Sequence, residues 1–325
     1  MDRGIDRGGS GGSGPRVPER SSPADYIFLL RPMILIPVWT FFLLGAWHGS
    51  RAAGTRIDLN GLLAGIAAFT AVVGAAYIIN QITDRETDRK SGKLFLISHG
   101  VTGLSAAWAE AGILTVLSIA ASVILLPRGF VYILLAGAAL GAAYSLEPLR
   151  FKKRPALDVL ANALANGVLN TLAGWAAIGA PLEGLRILAP YPLAVAAVHL
   201  STTLADIDGD RASGLRTSGV VLGRRAGIVF STVLMAGSLT VAVLTRNTPA
   251  FYASSISLLF FIIASISERK KTSGAGILLP AKISTLAYSL AAGYLFPAYI
   301  AVLAAVIIIT RIYYRKRFGI RYPAL

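Results

Sequence analysis

Two short segments of this chain are dense in side chains that can hold a cation. Asp84-Arg85-Glu86-Thr87-Asp88-Arg89-Lys90-Ser91-Gly92 and Asp206-Ile207-Asp208-Gly209-Asp210-Arg211-Ala212-Ser213-Gly214 share the pattern D-x-x-x-D-R-x-S-G. Carboxylates four residues apart lie on one helix face, where they can share a divalent cation. Asn80 extends the first set to i, i+4, i+8 with Asp84 and Asp88, and its carbonyl is a neutral ligand of the hard kind that suits Mg²⁺. Asp206 and Asp210 form the matching pair, with Asp208 expected on another face and Gly209 loosening the helix between them. Two such faces turned toward each other would accept a substrate bearing a diphosphate together with its magnesium. The remaining phosphate charge calls for cations, and Arg89, Lys93, Lys152, Arg211 and Arg216 are placed to supply them. Lys93 and Arg216 stand out because each follows a cluster at a similar distance. The bland alternative is that the acids only pair with neighbouring Arg and Lys at a membrane surface. The duplication of the signature argues against it.

The elements that must position these groups are membrane helices. Of 325 residues 55% are hydrophobic and only 14% charged, more apolar surface than a soluble domain of this length can bury. Apolar windows place spans at 27–47, 62–82, 106–126, 131–146, 157–178, 187–205, 226–244, 251–266, 277–296 and 298–312. The last two form one stretch broken at Pro297, so the count is nine or ten. Loops after the even-numbered spans hold Arg85, Arg89, Lys90 and Lys93, then Arg150, Lys152, Lys153 and Arg154, then Arg211, Arg216, Arg224 and Arg225, then Arg269, Lys270 and Lys271. The alternate loops hold only Arg51, Arg56, Arg128, Arg186 and Arg246. By the positive-inside rule the first group is cytoplasmic, and both acidic clusters lie with it at the ends of spans two and six. The basic carboxyl end favours ten spans with a tight turn at Pro297.

The net charge of +15 is therefore a topological signal, and no soluble basic domain exists to dock on nucleic acid. Cysteine is absent, which excludes disulfide and thiol chemistry. Residues 1–25, rich in Gly, Ser and Pro, are expected to be a disordered cytoplasmic tail. A membrane domain is expected over 26–313 and a basic tail over 314–325. One offset separates Asp84 from Asp206, Asp88 from Asp210 and Gly92 from Gly214, which suggests a duplicated four-helix unit followed by carboxyl-terminal spans. The expectation is an all-α polytopic bundle of the cell membrane, with both aspartate motifs at the cytoplasmic mouth of a central cavity.

Asn80-Gln-Ile-Thr-Asp84-Arg-Glu-Thr-Asp88, followed after span six by Asp206-Ile-Asp-Gly-Asp210-Arg, resembles the paired motifs of the UbiA superfamily of intramembrane prenyltransferases. Tyr144-Ser-Leu-Glu-Pro-Leu-Arg150-Phe-Lys152 is similar to that family's Y-S-x-P-P-x-R-x-K stretch, and Arg31-Pro32 to its R-P opening. The resemblance covers about residues 26–296. It departs at Gln81, where Asp is usual, and after the first motif, where Gly92–Gly100 lacks an Asp-Arg-Pro. A tenth span would also exceed the usual nine.

The resemblance implies a helical bundle around a cavity, two Mg²⁺ ions and a polyprenyl diphosphate donor. Asn80, Asp84, Asp88, Asp206 and Asp210 are then the metal ligands and catalytic acids, and the acceptor is hydrophobic or amphipathic, aromatic or lipid. Ionisation of the donor would leave an allylic cation for the acceptor to attack. Trp39, Phe41, Phe42, Trp175 and Tyr288 are candidates for lining the tail groove, although packing explains each as well. Of the histidines, His99 in the inner loop is the one expected near the site; His199 is expected to be buried in span six and His48 to lie at the opposite end. Arg31 could contact an anionic acceptor, or simply reach lipid headgroups. Two other readings stay open at this point: a secondary transporter with paired acidic sites, and a membrane terpene cyclase or diphosphate hydrolase.

Overall fold

A computed structural model of the chain describes residues 17–90, 95–212, 214–269, 276–320 and 322. Most of the expected amino-terminal tail and the whole of the link 91–94 lie outside the described residues. The described chain is helical throughout. A short α1 (Pro23–Leu29) leads into α2 (Pro32–Ala53) and the long α3 (Leu59–Lys90); α4 (Phe95–Ser98) is one turn; α5 (Leu104–Leu125) and α6 (Arg128–Ser145) form a hairpin. Then come α7 (Leu157–Asn162), a π-helical segment (Ala163–Leu169) and α8 (Asn170–Ala177), continuous with one another. The rest is α9 (Pro190–Ala205), α10 (Ile207–Ala212), α11 (Ser218–Leu244), α12 (Thr248–Arg269), α13 (Leu279–Leu295) and α14 (Pro297–Phe318).

Among the described residues, eight helical stretches are long and apolar enough to cross a membrane. The expected fifth span is the helix interrupted by the π segment, and the expected ninth is α13, 17 residues long. The break at Pro297 is where expected. Proline lacks the N–H that the helix interior requires, so it ends α13 and opens α14. The outward faces are apolar: Ile124 is 81% exposed, and Val116, Leu117 and Val123 surround it on α5. Such a surface is stable in lipid and not in water, so the chain is a multi-pass integral membrane protein.

Two clusters hold the bundle. The larger runs through Phe42, Phe69, Phe130, Trp175, Tyr191 and Phe261. At its seam α2 and α8 touch backbone to backbone: a Cβ on Gly45 would collide with the Thr171 carbonyl, and one on Gly174 with the Phe42 carbonyl. Only glycine permits this approach, which is how membrane helices pack closely without a hydrophobic drive between them. The smaller cluster gathers Phe28, Leu29, Ile78, Leu96, Ile97, Tyr313 and Phe318. Here α1 and α14 meet. Phe28 stacks on Tyr313 at 3.5 Å between ring centroids, and the buried Asp25 accepts hydrogen bonds from Tyr313 Oη (2.6 Å) and Arg317 Nη2 (2.7 Å).

Candidate active site

The carboxylate face of α3 forms because the helix does not stop at its apolar boundary. It continues through polar residues to Lys90, so Asn80, Asp84 and Asp88 keep helical spacing as they leave the bundle. The second motif is built differently. Helix α9 ends at Ala205, and the Asp206 carbonyl accepts the Asp210 N–H (2.9 Å) to begin α10. Thr217 then donates to Asp210 Oδ2 at 2.9 Å. Asp208 turns away as expected and pairs with Arg224 at 2.7 Å.

Both motifs open into one cavity of about 740 Å³, lined by Asn80, Asp84, Asp88, Asp206, Asp210 and Lys152. Lys152 arrives from the 3₁₀ turn Phe151–Lys153 that joins α6 to α7. Its Nζ lies 2.7 Å from Asp84 Oδ2 and donates to Thr83 Oγ1 at 2.9 Å, while Arg150 Nη2 stands 3.5 Å from Asp84 Oδ1. Burial pulls the Lys152 ammonium below its ordinary value, against the opposing pull of the Asp84 charge. The pairing of an acid with its basic neighbour is thus real at Asp84, and it sits inside the cavity.

Of the other expected cations, Arg89, Arg211 and Arg216 are exposed and form no part of the cavity lining, and Lys93 lies outside the described residues. Among the aromatic candidates Phe41 and Tyr288 line the cavity. Phe42 and Trp175 belong to the core, Trp175 donating to the Pro181 carbonyl, and Trp39 donates to Thr70. Arg31 lines the cavity too. His99 sits beside Ser98 at 2.9 Å, outside the lining, whereas His48 is buried against Tyr191 Oη. His199, expected to be merely buried, lines the cavity.

Gln81 is turned away from the cavity. It is 2% exposed and donates to the carbonyls of Leu29 (2.8 Å) and Tyr77 (3.1 Å), so it fastens α3 to α1. The departure from the motif therefore falls on a face that the cavity does not see.

Three features were not read from the sequence. Asn162, Asn166 and Asn170 line the cavity in a ladder, each carboxamide donating to the one before it, at 3.1 and 3.3 Å. The π segment between them carries one more residue per turn than an α-helix, a device frequent at functional sites. Asp158, 1% exposed, accepts both the N–H (2.8 Å) and the hydroxyl of Ser218, and so ties the Lys152 connection to the chain that leaves the second motif. Asparagines and one acid inside an apolar run were the available signal, since polar groups at membrane depth are costly unless they are used.

The donor set fits Mg²⁺ in a particular manner. Carboxylates and one amide carbonyl are hard oxygen ligands, but among the described residues no three His, Cys, Asp or Glu side chains gather into a closed cage. Mg²⁺ is commonly held in this open way, by one or two carboxylates with the remaining positions left to phosphate oxygens and water.

The comparisons with known proteins agree with this architecture. A family model described as the UbiA prenyltransferase family matches residues 34–276. A digeranylgeranylglyceryl phosphate synthase of Halobacterium salinarum is 32% identical over 213 residues, 65% of this chain and 73% of that protein. The 34 kDa chain of bacteriochlorophyll synthase from Chloroflexus aurantiacus is 28% identical over 223 residues, 65% of this chain and 71% of that one. A solved UbiA homologue from Archaeoglobus fulgidus, bound to GPP and Mg²⁺, shares the fold with a TM-score of 0.64 at 22% identity, covering 85% of this chain and 99% of its own. With the family matched over most of its length, the chain belongs to the UbiA prenyltransferase family and is a UbiA-type prenyltransferase.

Proposed function

We propose that the protein transfers a prenyl group, with Mg²⁺, from a polyprenyl diphosphate to a hydrophobic or amphipathic acceptor within the membrane. The observation that carries this reading is the convergence of Asn80, Asp84, Asp88, Asp206, Asp210 and Lys152 on one cavity. The five oxygen-bearing side chains would hold the metal against the donor diphosphate. Bound there, Mg²⁺ supplies Lewis-acid stabilisation of the charge on the leaving group. Lys152, held at Asp84, would supply a cation to the diphosphate. Arg89, Arg211 and Arg216 would form an outer basic field that draws the anionic donor to the mouth. The C–O electron pair leaves with the diphosphate, and the acceptor attacks the resulting allylic cation. The donor tail lies between Phe41, Phe69, Val73 and Tyr288.

We also read the cavity mouth as cytoplasmic, because the basic loops cluster on that side. Ten crossings follow in this reading, since α14 brings the carboxyl end back to α1.

The test is diphosphate release from purified protein in nanodiscs, supplied with geranylgeranyl diphosphate, Mg²⁺ and four acceptors: a phenolic acid, a glyceryl phosphate lipid, a tetrapyrrole and lycopene. Release that depends on Mg²⁺, on both Asp84 and Asp206 and on one acceptor supports transfer. Acceptor-independent release indicates a cyclase or hydrolase, and no release from folded protein overturns the reading.

A further inference from the structure

Prenyl transfer to a neutral product requires more than a leaving group. When the acceptor's electron pair closes on the allylic carbon, the acceptor must lose a proton from the C–H or O–H at the point of attachment. The electrons of that bond stay on the acceptor, and some group must take the proton. Resting on the transfer reading, we propose that this group is His199, with Asn162 as its positioning partner.

The cavity lining leaves few other bases. Asp84 is engaged by Lys152 and Arg150. Asp88, Asp206 and Asp210 stand at the mouth, where the metal and diphosphate belong. Lys152, Lys153 and Arg31 are cations, and the phenols Tyr77, Tyr144 and Tyr288 are poor bases at neutral pH. Asp158 is closed off by Ser218, and neither His48 nor His99 lines the cavity. Among the described residues that line it, His199 is the one imidazole. It precedes Asp206 by seven residues on α9, about 10 Å along the helix axis. That places it inward of the diphosphate end, on the side of the cavity that the prenyl chain and the acceptor would occupy.

The hydrogen bonds around it suit a proton acceptor. The Asn162 carboxamide nitrogen lies within 3.2 Å of three acceptors: Tyr144 Oη (3.1 Å), the Asp158 carbonyl (3.2 Å) and His199 Nε2 (3.2 Å). It has two hydrogens for three partners. The Nε2 lone pair is therefore only shared, and an acceptor's X–H or C–H can claim it. Asn166, donating to Asn162 Oδ1, fixes the amide in the orientation that makes this so.

The experiment measures two quantities in nanodiscs with geranylgeranyl diphosphate, Mg²⁺ and the same four acceptors: diphosphate released, and prenylated acceptor formed. General-base catalysis contributes roughly 100-fold or more, so in His199→Gln the fraction of released diphosphate that ends as prenylated acceptor is expected to fall by about that factor, with prenyl alcohol making up the difference. Glutamine still reaches Asn162, which guards against simple collapse of the ladder. In His199→Ala, added imidazole is expected to restore part of the coupling. An unchanged fraction in both variants overturns the proposal and assigns the proton to the leaving diphosphate or to water. Release and coupling that fall together in folded protein, without response to imidazole, overturn it in favour of a structural role. Wild-type turnover that yields only prenyl alcohol sinks it as well. Absence of Asp84- and Asp206-dependent release in the wild type is a different result, and removes the transfer reading itself.

Discussion

Lys152 Nζ and Asp84 Oδ2 stand 2.7 Å apart, joining a loop cation to the first acidic motif inside the cavity. The pair is partly buried, and Lys152 also donates to the Thr83 hydroxyl. Neutralising Asp84 in this way lessens the repulsion among the acids that line the cavity. It also places an ammonium where a diphosphate would lie. Lys152→Ala is expected to raise KM for the donor roughly ten- to a hundredfold, the equivalent of about 1.5–3 kcal/mol for a charge-assisted hydrogen bond. Steady-state kinetics with varied geranylgeranyl diphosphate checks it, and an unchanged KM rules out the contact.

The two acidic motifs should behave as one unit. Asp84→Asn and Asp206→Asn are each expected to lower diphosphate release by at least about 100-fold, and the double variant to be little worse than either, as is usual for groups acting together. Titration of activity against Mg²⁺ provides the second readout. Losses that multiply cleanly would mean two independent sites.

Asp158 tests whether the mouth depends on its anchor. Removing the carboxylate leaves the Ser218 N–H and the hydroxyl hydrogen without an acceptor in a buried place, while the hydroxyl oxygen still accepts the Ala156 N–H. Asp158→Ala should lower the thermal midpoint in detergent, by an amount corresponding to about 1–3 kcal/mol, and weaken Mg²⁺-dependent activity. Asp158→Asn, which keeps one acceptor oxygen, should recover most of the stability. Equal midpoints for the two variants would contradict this account.

The close seam between α2 and α8 makes a steric prediction. Gly174→Ala drives a methyl group into the Phe42 carbonyl and must push the helices apart. Overpacking of this kind costs about 1–3 kcal/mol and sometimes more. The expected outcome is a lower midpoint and poor recovery of monodisperse protein by size exclusion; a wild-type profile would show that the seam can open freely.

Asp25 gives the chain an acid-sensitive tie. Burial alone would raise its carboxyl, but the hydrogen bonds from Arg317, Tyr313 and the Ser22 N–H outweigh it and hold the group below its usual range. A carboxylate with a lower pKa folded than unfolded stabilises the fold above its unfolded value, near 4, and loses that contribution as pH falls through the folded one. Thermal midpoints of the wild type should therefore drop between about pH 5 and pH 3. Asp25→Asn should start lower at neutral pH and show a flatter profile over the same range.

Much of the bundle was legible because membrane helices announce themselves by length and the loops by their basic residues. Asn80, Asp84 and Asp88 were legible for the same reason, since helical spacing survives to the end of α3. What could not be read was the facing of residues inside the spans. A helix that is apolar all round has no polar side to mark what it turns outward, so nothing in span six showed that His199, expected to be buried there, would line the cavity. Gln81 misled in the opposite way: it stands in the motif but on the face that grips α1. The exposed Arg211 and Arg216 show that nearness in sequence to an acidic cluster does not place a flexible side chain against it.

The meeting of Asp25 with Arg317 has a consequence for how the molecule is made. The partner of Asp25 is synthesised after every acid of both motifs. Until then α1 lacks the hydrogen bonds that close its carboxylate, and the floor beneath Gln81 and the first acidic motif is unfinished. The clasp on α1 is thus closed by α14, so a chain cut short before that helix would carry every acid of the site and still lack the tie that fastens α1.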